Sequence, residues 1–180
     1  MNSKHSYFKL THKYKLYLQE LGNMDAPTAL TQTTPLIIKK IRQNYLEEQR
    51  LLIEINRNKE NQKQNRFIEL QNQKINQLIY FYLHSMYNQQ EAAKGTEFGG
   101  SHLSFTSNKP YAENQLLGAT IFIESQLLAV YCITKVIKVV FNDQIYDVFS
   151  KIECISTAEQ ELLIQSSLKQ QSTNLEKTKA

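Results

Sequence analysis

Between Leu36 and Lys94 the chain contains neither glycine nor proline. Gln, Glu, Lys, Arg and Leu dominate this stretch. With the two strongest helix breakers absent and good helix formers in their place, the segment is expected to be helical. Two runs of apolar residues recur at spacings of three, four and seven. The first is Ile38, Ile41, Tyr45, Leu52 and Ile55; the second is Ile68, Ile75, Leu78 and Tyr82. Such spacing makes a coiled-coil seam. Between the runs lies NRNKENQKQNR (56–66), which has no apolar side chain. Extending the first frame places a seam position at Arg66, whereas the second needs it at Ile68. That offset rotates the seam by roughly 200°. Either the helix breaks near 56–66 or each half packs on a different partner. The absence of turn residues favours one helix, on the order of 85 Å long at 1.5 Å per residue. A helix that long cannot be buried in its own small domain, so self-association is the expected consequence. An intramolecular helical hairpin is the alternative.

Gly95 opens a different regime. Residues 96–107, 116–125, 127–141 and 144–155 are rich in β-branched and aromatic residues and read as strands. Turns are expected at 108–111, 124–126 and 142–143. Ser156-Thr-Ala-Glu159 is a capping box that opens a helix, ELLIQSSLKQQ. Closely spaced antiparallel strands followed by a capped helix imply an α+β protein with a small barrel. Upstream, Tyr7, Leu10, Tyr14, Tyr17, Leu18 and Leu21 fall at helical spacing. They predict a short amphipathic helix docked on the rest of the protein, with a membrane-surface anchor as the alternative. The expected organisation is therefore an N-terminal helix (1–22), a linker (23–34), a helical oligomerisation region (35–94), a barrel with its C-terminal helix (95–172) and a polar tail (173–180). Thr34-Pro35 is expected to start the long helix.

Composition narrows the function classes. The 180 residues are 41% hydrophobic with a net charge of +4, which excludes disorder over most of the chain. Two cysteines, Cys132 and Cys154, make no disulfide framework and read as free thiols in a reducing cytoplasm. A two-residue turn at Asn142-Asp143 sends their sulfurs to opposite faces of the hairpin. The most apolar stretch, from Leu116 to Phe141, is interrupted by Glu124, Gln126, Lys135 and Lys138, so no membrane span is expected. Lys4, Lys9, Lys13 and Lys15 break any signal-peptide core. Residues 1–90 carry 13 Lys and Arg against 7 Asp and Glu, and all four arginines lie between Arg42 and Arg66. Their sparse, alternating distribution reads as a solvated helix surface, not a nucleic-acid interface. His5, His12, His84 and His102 show no metal-ligand spacing, and no nucleophile elbow or phosphate loop is present. No cofactor is expected, and nothing in the sequence supports catalysis.

The second half resembles the PilZ domain, a small β-barrel known as a bacterial cyclic di-GMP receptor. The resemblance covers roughly residues 96–172 and rests on EFGGSHLSF (97–105), PYAENQLLGATIFI (110–123), AVYCITKVIKV (129–139) and the run from Ile145 to Gln171. The family binds its dianionic ligand with an R-x-x-x-R motif before the barrel and a D/N-x-S-x-x-G turn. Two planar, permanently charged guanidiniums suit that task. Here the segment before the barrel has no arginine, only Lys94. The turn reads Glu97-Phe-Gly99-Gly-Ser101-His102, so a hydroxyl is lost at Gly99 and a glycine at His102. Phe149 stands where the family often has glycine. Each lost charge-assisted bond removes on the order of 1.5–3 kcal/mol. The resemblance therefore implies a degenerate site at Lys94, Glu97, Gly99, Ser101, His102 and Phe149 that does not bind cyclic di-GMP by the usual motif.

The replacement of the usual first strand by helix resembles a divergent PilZ subgroup whose added heptad helices assemble a tetramer. What that implies is a non-enzymatic homo-oligomer acting on an unidentified protein partner in motility, type IV pilus, biofilm or virulence control. Two alternatives are a cyclic di-GMP receptor with a rebuilt site, supplied with Arg42–Arg66 from a neighbouring subunit, and a coiled-coil scaffold or nucleic-acid binder.

Overall fold

A computed structural model describes residues 14–56, 62–88 and 90–178, with the side chains of residues 56 and 174–178 left aside. Tyr14, Leu16 and Leu18 alternate with Lys15, Tyr17 and Gln19, and this period of two forms strand β1 (Tyr14–Glu20). Three helices follow, α1 (Ala26–Thr33), α2 (Leu36–Ile41) and α3 (Tyr45–Asn56), and then the 26-residue α4 (Gln62–Tyr87). Five strands and a last helix complete the chain. They are β2 (Ala93–Phe98), β3 (His102–Ser107), β4 (Leu116–Ile123), β5 (Leu128–Asn142), β6 (Ile145–Ile155) and α5 (Thr157–Thr178).

The six strands close an antiparallel barrel in the order β1-β2-β3-β6-β5-β4. This is the α+β barrel with a C-terminal helix that the sequence implies. Its closing strand is a surprise. β1 pairs with β2 through Tyr14–Gly95 and with β4 through six consecutive pairs from Lys15–Phe122 to Glu20–Leu117. The helix expected over 7–21 is therefore a strand across 14–20, and residues 7–13 lie outside the described residues. Helical spacing of the aromatic residues competes here with strict alternation. Alternation wins because a strand buries Leu16 inside the barrel and Tyr17 outside it.

Each inward row of side chains fills the barrel. Leu16, Leu103, Phe105, Ile121, Val130 and Val148 are fully buried there, and Leu163 of α5 joins the same cluster. A second cluster lies outside the wall. Tyr17, Phe122 and Ile133 of the strands meet Ala29 of α1, Ile38 of α2 and Ile79 and Leu83 of α4. Burial on both faces explains why β4 reads as a continuous apolar run, LLGATIFI.

The ring of Tyr14 lies flat over Gly95, and a Cβ there would come within 2.2–2.3 Å of three ring atoms. Tyr14 cannot easily retreat, because its hydroxyl sits 2.8 Å from the carbonyls of both Glu97 and Ser104. Gly95→Ala is expected to cost about 1–3 kcal/mol through overpacking. Urea denaturation checks this, and an unchanged midpoint would mean that the ring has room to move.

The helical region is not one rod. It breaks at residues 42–44, between α2 and α3, without glycine or proline. The expected start at Thr34-Pro35 also differs: Thr34 caps the C-terminus of α1, and Pro35 precedes α2 at its N-cap. The linker expected at 23–34 largely forms α1, capped by Asp25. Arg42 at the break reaches Asn76 in the middle of α4, with Nη1 and Nη2 both engaged. Five residues, 57–61, separate α3 from α4 and lie outside the described residues. Arg42 beside Asn76 at one end and this short connection at the other make α3 and α4 an antiparallel hairpin. Tyr45, Leu52 and Ile55 of α3 and Ile68 of α4 are half-buried.

The β5–β6 turn is Asp143-Gln144, both residues at positive φ, one position later than the expected Asn142-Asp143. Cys132 consequently pairs with Ile155 and Cys154 with Ile133. The sulfurs still fall in different clusters, Cys132 inside the barrel and Cys154 outside it, and both are free. α5 continues to Thr178, past the expected end of the domain at 172.

Candidate functional site

Two places concentrate the residues singled out from the sequence. The first is the β2–β3 turn. Gly99 N–H donates to the His102 carbonyl at 3.0 Å, and Ile152 N–H donates to the Ser101 carbonyl at 2.9 Å. His102 Nε2 stands 3.7 Å from Glu97 Oε1. Next to the turn, Ser104 is opposite Phe149 and His102 is opposite Lys151. So Glu97, Gly99, Ser101, His102 and Phe149 do share one corner of the barrel. Helix α5 closes over that corner: a Cβ on Gly100 would come within 2.7 Å of Ile164 Cγ1. Lys94 stands apart. It pairs with Thr106 further along β2 and lines a cavity of about 140 Å³ with Glu91, Lys109 and Tyr111.

Arg42 and Arg66 do not come to this corner. Arg66 pairs with Glu69 on the surface of α4 at 3.1 Å. Arg42 is buried in its own subunit, which removes it as a donor to a neighbouring one. Its guanidinium meets the Glu159 carboxylate, and both side chains are almost fully enclosed, 7% and 2% exposed. Glu159 also accepts the Tyr131 N–H at 2.7 Å. Burial pushes the Glu159 carboxyl up to about 7, against the downward pull of Arg42 and of that amide. Ser156 caps α5 as the sequence predicts, accepting the Glu159 N–H at 3.3 Å. The capping-box carboxylate itself is diverted to Arg42 and Tyr131. Tyr45 adds a second tie to α5 through Glu161 at 2.5 Å. Sequence reasoning identifies Glu159 as a cap and Arg42 as surface charge, and misses their pairing across 117 residues.

The second place is the outer face of α4. Of the expected seam, Ile38 is unavailable: it is 2% exposed and lies in the cluster between helices and barrel. Ile41, Ile75, Leu78 and Tyr82 are exposed, and Phe67, Leu70, Phe81 and Met86 join them. Leu78 is 67% and Phe67 62% exposed. Helix α4 thus carries apolar side chains on both sides. Ile79, Tyr80 and Leu83 are buried against the barrel and its neighbours, and the other row faces out. From Ile75 to Gln90 the sequence contains no Asp, Glu, Lys or Arg.

Burial pushes the Cys132 thiol up and away from the thiolate form. Among the described residues, no group of three or more His, Cys, Asp or Glu is placed to hold a metal ion. Among them, too, no helix is long and apolar enough to cross a membrane. No family model, curated protein or solved structure matches the chain. Function must therefore be argued from these two surfaces.

Proposed function

We propose that this chain is a non-enzymatic, oligomeric regulatory protein of the PilZ-like type, acting through protein–protein contact. The observation that carries this reading is the exposed apolar face of α4, which from Ile75 onward carries no Asp, Glu, Lys or Arg. An exposed helix normally presents charge to water, and one that is apolar around its whole circumference is normally buried. Depletion of charge together with enrichment in aromatics and Met is also the composition of a protein interface core. Leu78, Phe81, Tyr82 and Met86 fit that description, and the same uncharged C-terminal part of the face on a second copy is the occupant that matches it.

The resemblance of the barrel sequence to PilZ supplies the regulatory part of the proposal, in motility, type IV pili, biofilm or virulence. The turn corner supports a role without cyclic di-GMP. Among the described residues Arg42 and Arg66 are engaged elsewhere, the His102 imidazole lies beside Glu97, and α5 crowds Gly100. Two phosphates would meet the Glu97 carboxylate and Phe149 there, with Lys151 in place of a guanidinium pair.

The test combines two measurements. The intact protein is expected to be larger than a monomer by light scattering. Leu78→Asp with Phe81→Asp is expected to reduce it to a monomer with unchanged circular dichroism. Titration with cyclic di-GMP to ~100 μM, a regime of about 5–6 kcal/mol of binding, is expected to release no heat. An unchanged mass in the double variant would sink the assembly assignment. Clear binding heat would replace the degenerate corner with a working receptor.

A further inference from the structure

We infer that two copies pair through α4 in antiparallel orientation, with a two-fold axis at Leu78. The inference rests on the oligomeric reading above and specifies its geometry. At 100° per residue, Phe67, Leu70, Ile75, Phe81, Tyr82 and Met86 all fall within about 80° of Leu78 on the helix circumference. Ile79 and Leu83, which are buried in the subunit, turn away from that face. The exposed row thus forms one stripe, about 28 Å long from Phe67 to Met86 at 1.5 Å per residue.

Direction follows from where the stripe is charged. Lys74 lies within about 40° of Leu78, inside the stripe. The other charged side chains of α4, Lys63, Arg66 and Glu69, also sit in its N-terminal part, and everything from Ile75 onward is uncharged. Parallel, in-register pairing places Lys74 against Lys74 of the second copy and sets the two charged halves side by side. Like charges held at a helix seam are destabilising. Antiparallel pairing about Leu78 removes the conflict. Lys74 then faces Tyr82 of the second copy, an aromatic ring that attracts an ammonium. In the same register Leu70 meets Met86, Ile75 meets Phe81, and Leu78 meets itself. Of the exposed apolar side chains between Leu70 and Met86, all but Tyr82, which meets Lys74, gain an apolar or aromatic partner. The contact is isologous and closes at two subunits, so a larger assembly has to use a second surface.

Gln71 and Ser85 lie on the stripe but outside its apolar contacts, and the same register sets one opposite the other. Cross-linking between Gln71→Cys and Ser85→Cys chains is the test. The two variants, in a Cys154→Ser background, are co-expressed with tags of different size and treated with a short bifunctional thiol reagent. Mass in solution is measured on the same samples. A mixed Gln71→Cys with Ser85→Cys product, with little self-linked product of either variant, is the expected result. Self-linking of each variant alone would mean parallel pairing, and would overturn this inference while leaving the oligomer intact. An oligomer by mass with neither product would place the contact elsewhere, with the same consequence. A monomer at the cross-linking concentration would hand the face to a different partner and overturn both readings together.

Discussion

Replacing Arg42 with Met is expected to lower stability by about 3–5 kcal/mol at pH 8, because it strands the Glu159 carboxylate inside the protein. The loss is expected to be smaller at pH 5. With its carboxyl raised to about 7, Glu159 is protonated in the native state well above the ~4.3 of an unfolded glutamate. The native state then binds more protons than the unfolded state between those two values. The stability carried by that proton is fully present below ~4.3 and is lost as pH rises through about 7. In the parent protein Arg42 offsets the loss by pairing with the ionised form. In Arg42→Met only the Tyr131 N–H remains to favour the ionised form, so the pH dependence extends further above 7. Adding Glu159→Gln keeps an acceptor for the Tyr131 N–H and removes the charge, so it is expected to restore part of the loss at pH 8 and to flatten the profile. Urea denaturation at pH 5 and pH 8 decides the matter. Equal losses at both values would show that Arg42 acts by packing alone.

Phe122→Ala is expected to cost about 3–5 kcal/mol, the range for truncating a fully buried aromatic. Phe122 is the hub between α4 and the barrel. Tyr17, Tyr80, His84 and Tyr87 all approach its ring edge-on, with centroids 5.4–6.1 Å away. Its neighbours belong to β1 and α4, so the cavity opens between layers and not within the barrel. Hydrogen exchange is therefore expected to accelerate more over residues 76–87 than over β5. Uniform acceleration would mean that helix and barrel unfold as one unit.

Local signals carried much of this architecture. The turn at 124–126, the strand-rich stretch from 96 to 155 and the Ser156 cap each depend on a few neighbouring residues, and each was legible. The helix break at 42–44 was not, because no breaker residue marks it. The chain turns there so that Ile38 can enter the barrel-side cluster and Arg42 can reach Glu159, contacts that only the assembled fold supplies. β1 was misread for a related reason. Its aromatic residues satisfy a helical period, and the decision in favour of a strand is made by partners about 80–100 residues away. The five residues of the turn corner, singled out through the resemblance, come together because four lie on the β2–β3 hairpin and Phe149 lies on β6 beside it. The exposed half of α4 was legible only in part. Ile75, Leu78 and Tyr82 stood out by spacing, whereas Phe67, Phe81 and Met86 needed burial to distinguish outside from inside.

The position of β1 has a consequence for how the molecule is made. The barrel is sealed by its first strand against β2 and β4, yet about 70 residues of helix and loop separate Glu20 from Ala93. During synthesis β1 leaves the ribosome long before either neighbour exists. The α3–α4 hairpin, built from contacts close in the chain, can form meanwhile, whereas the barrel must wait for both flanking strands. Pairing of such high sequence separation is slow, because chain closure precedes the contacts that reward it. Until then the apolar strand β4 keeps an unpaired edge, and the nascent chain depends on the late return of β1 to cover it.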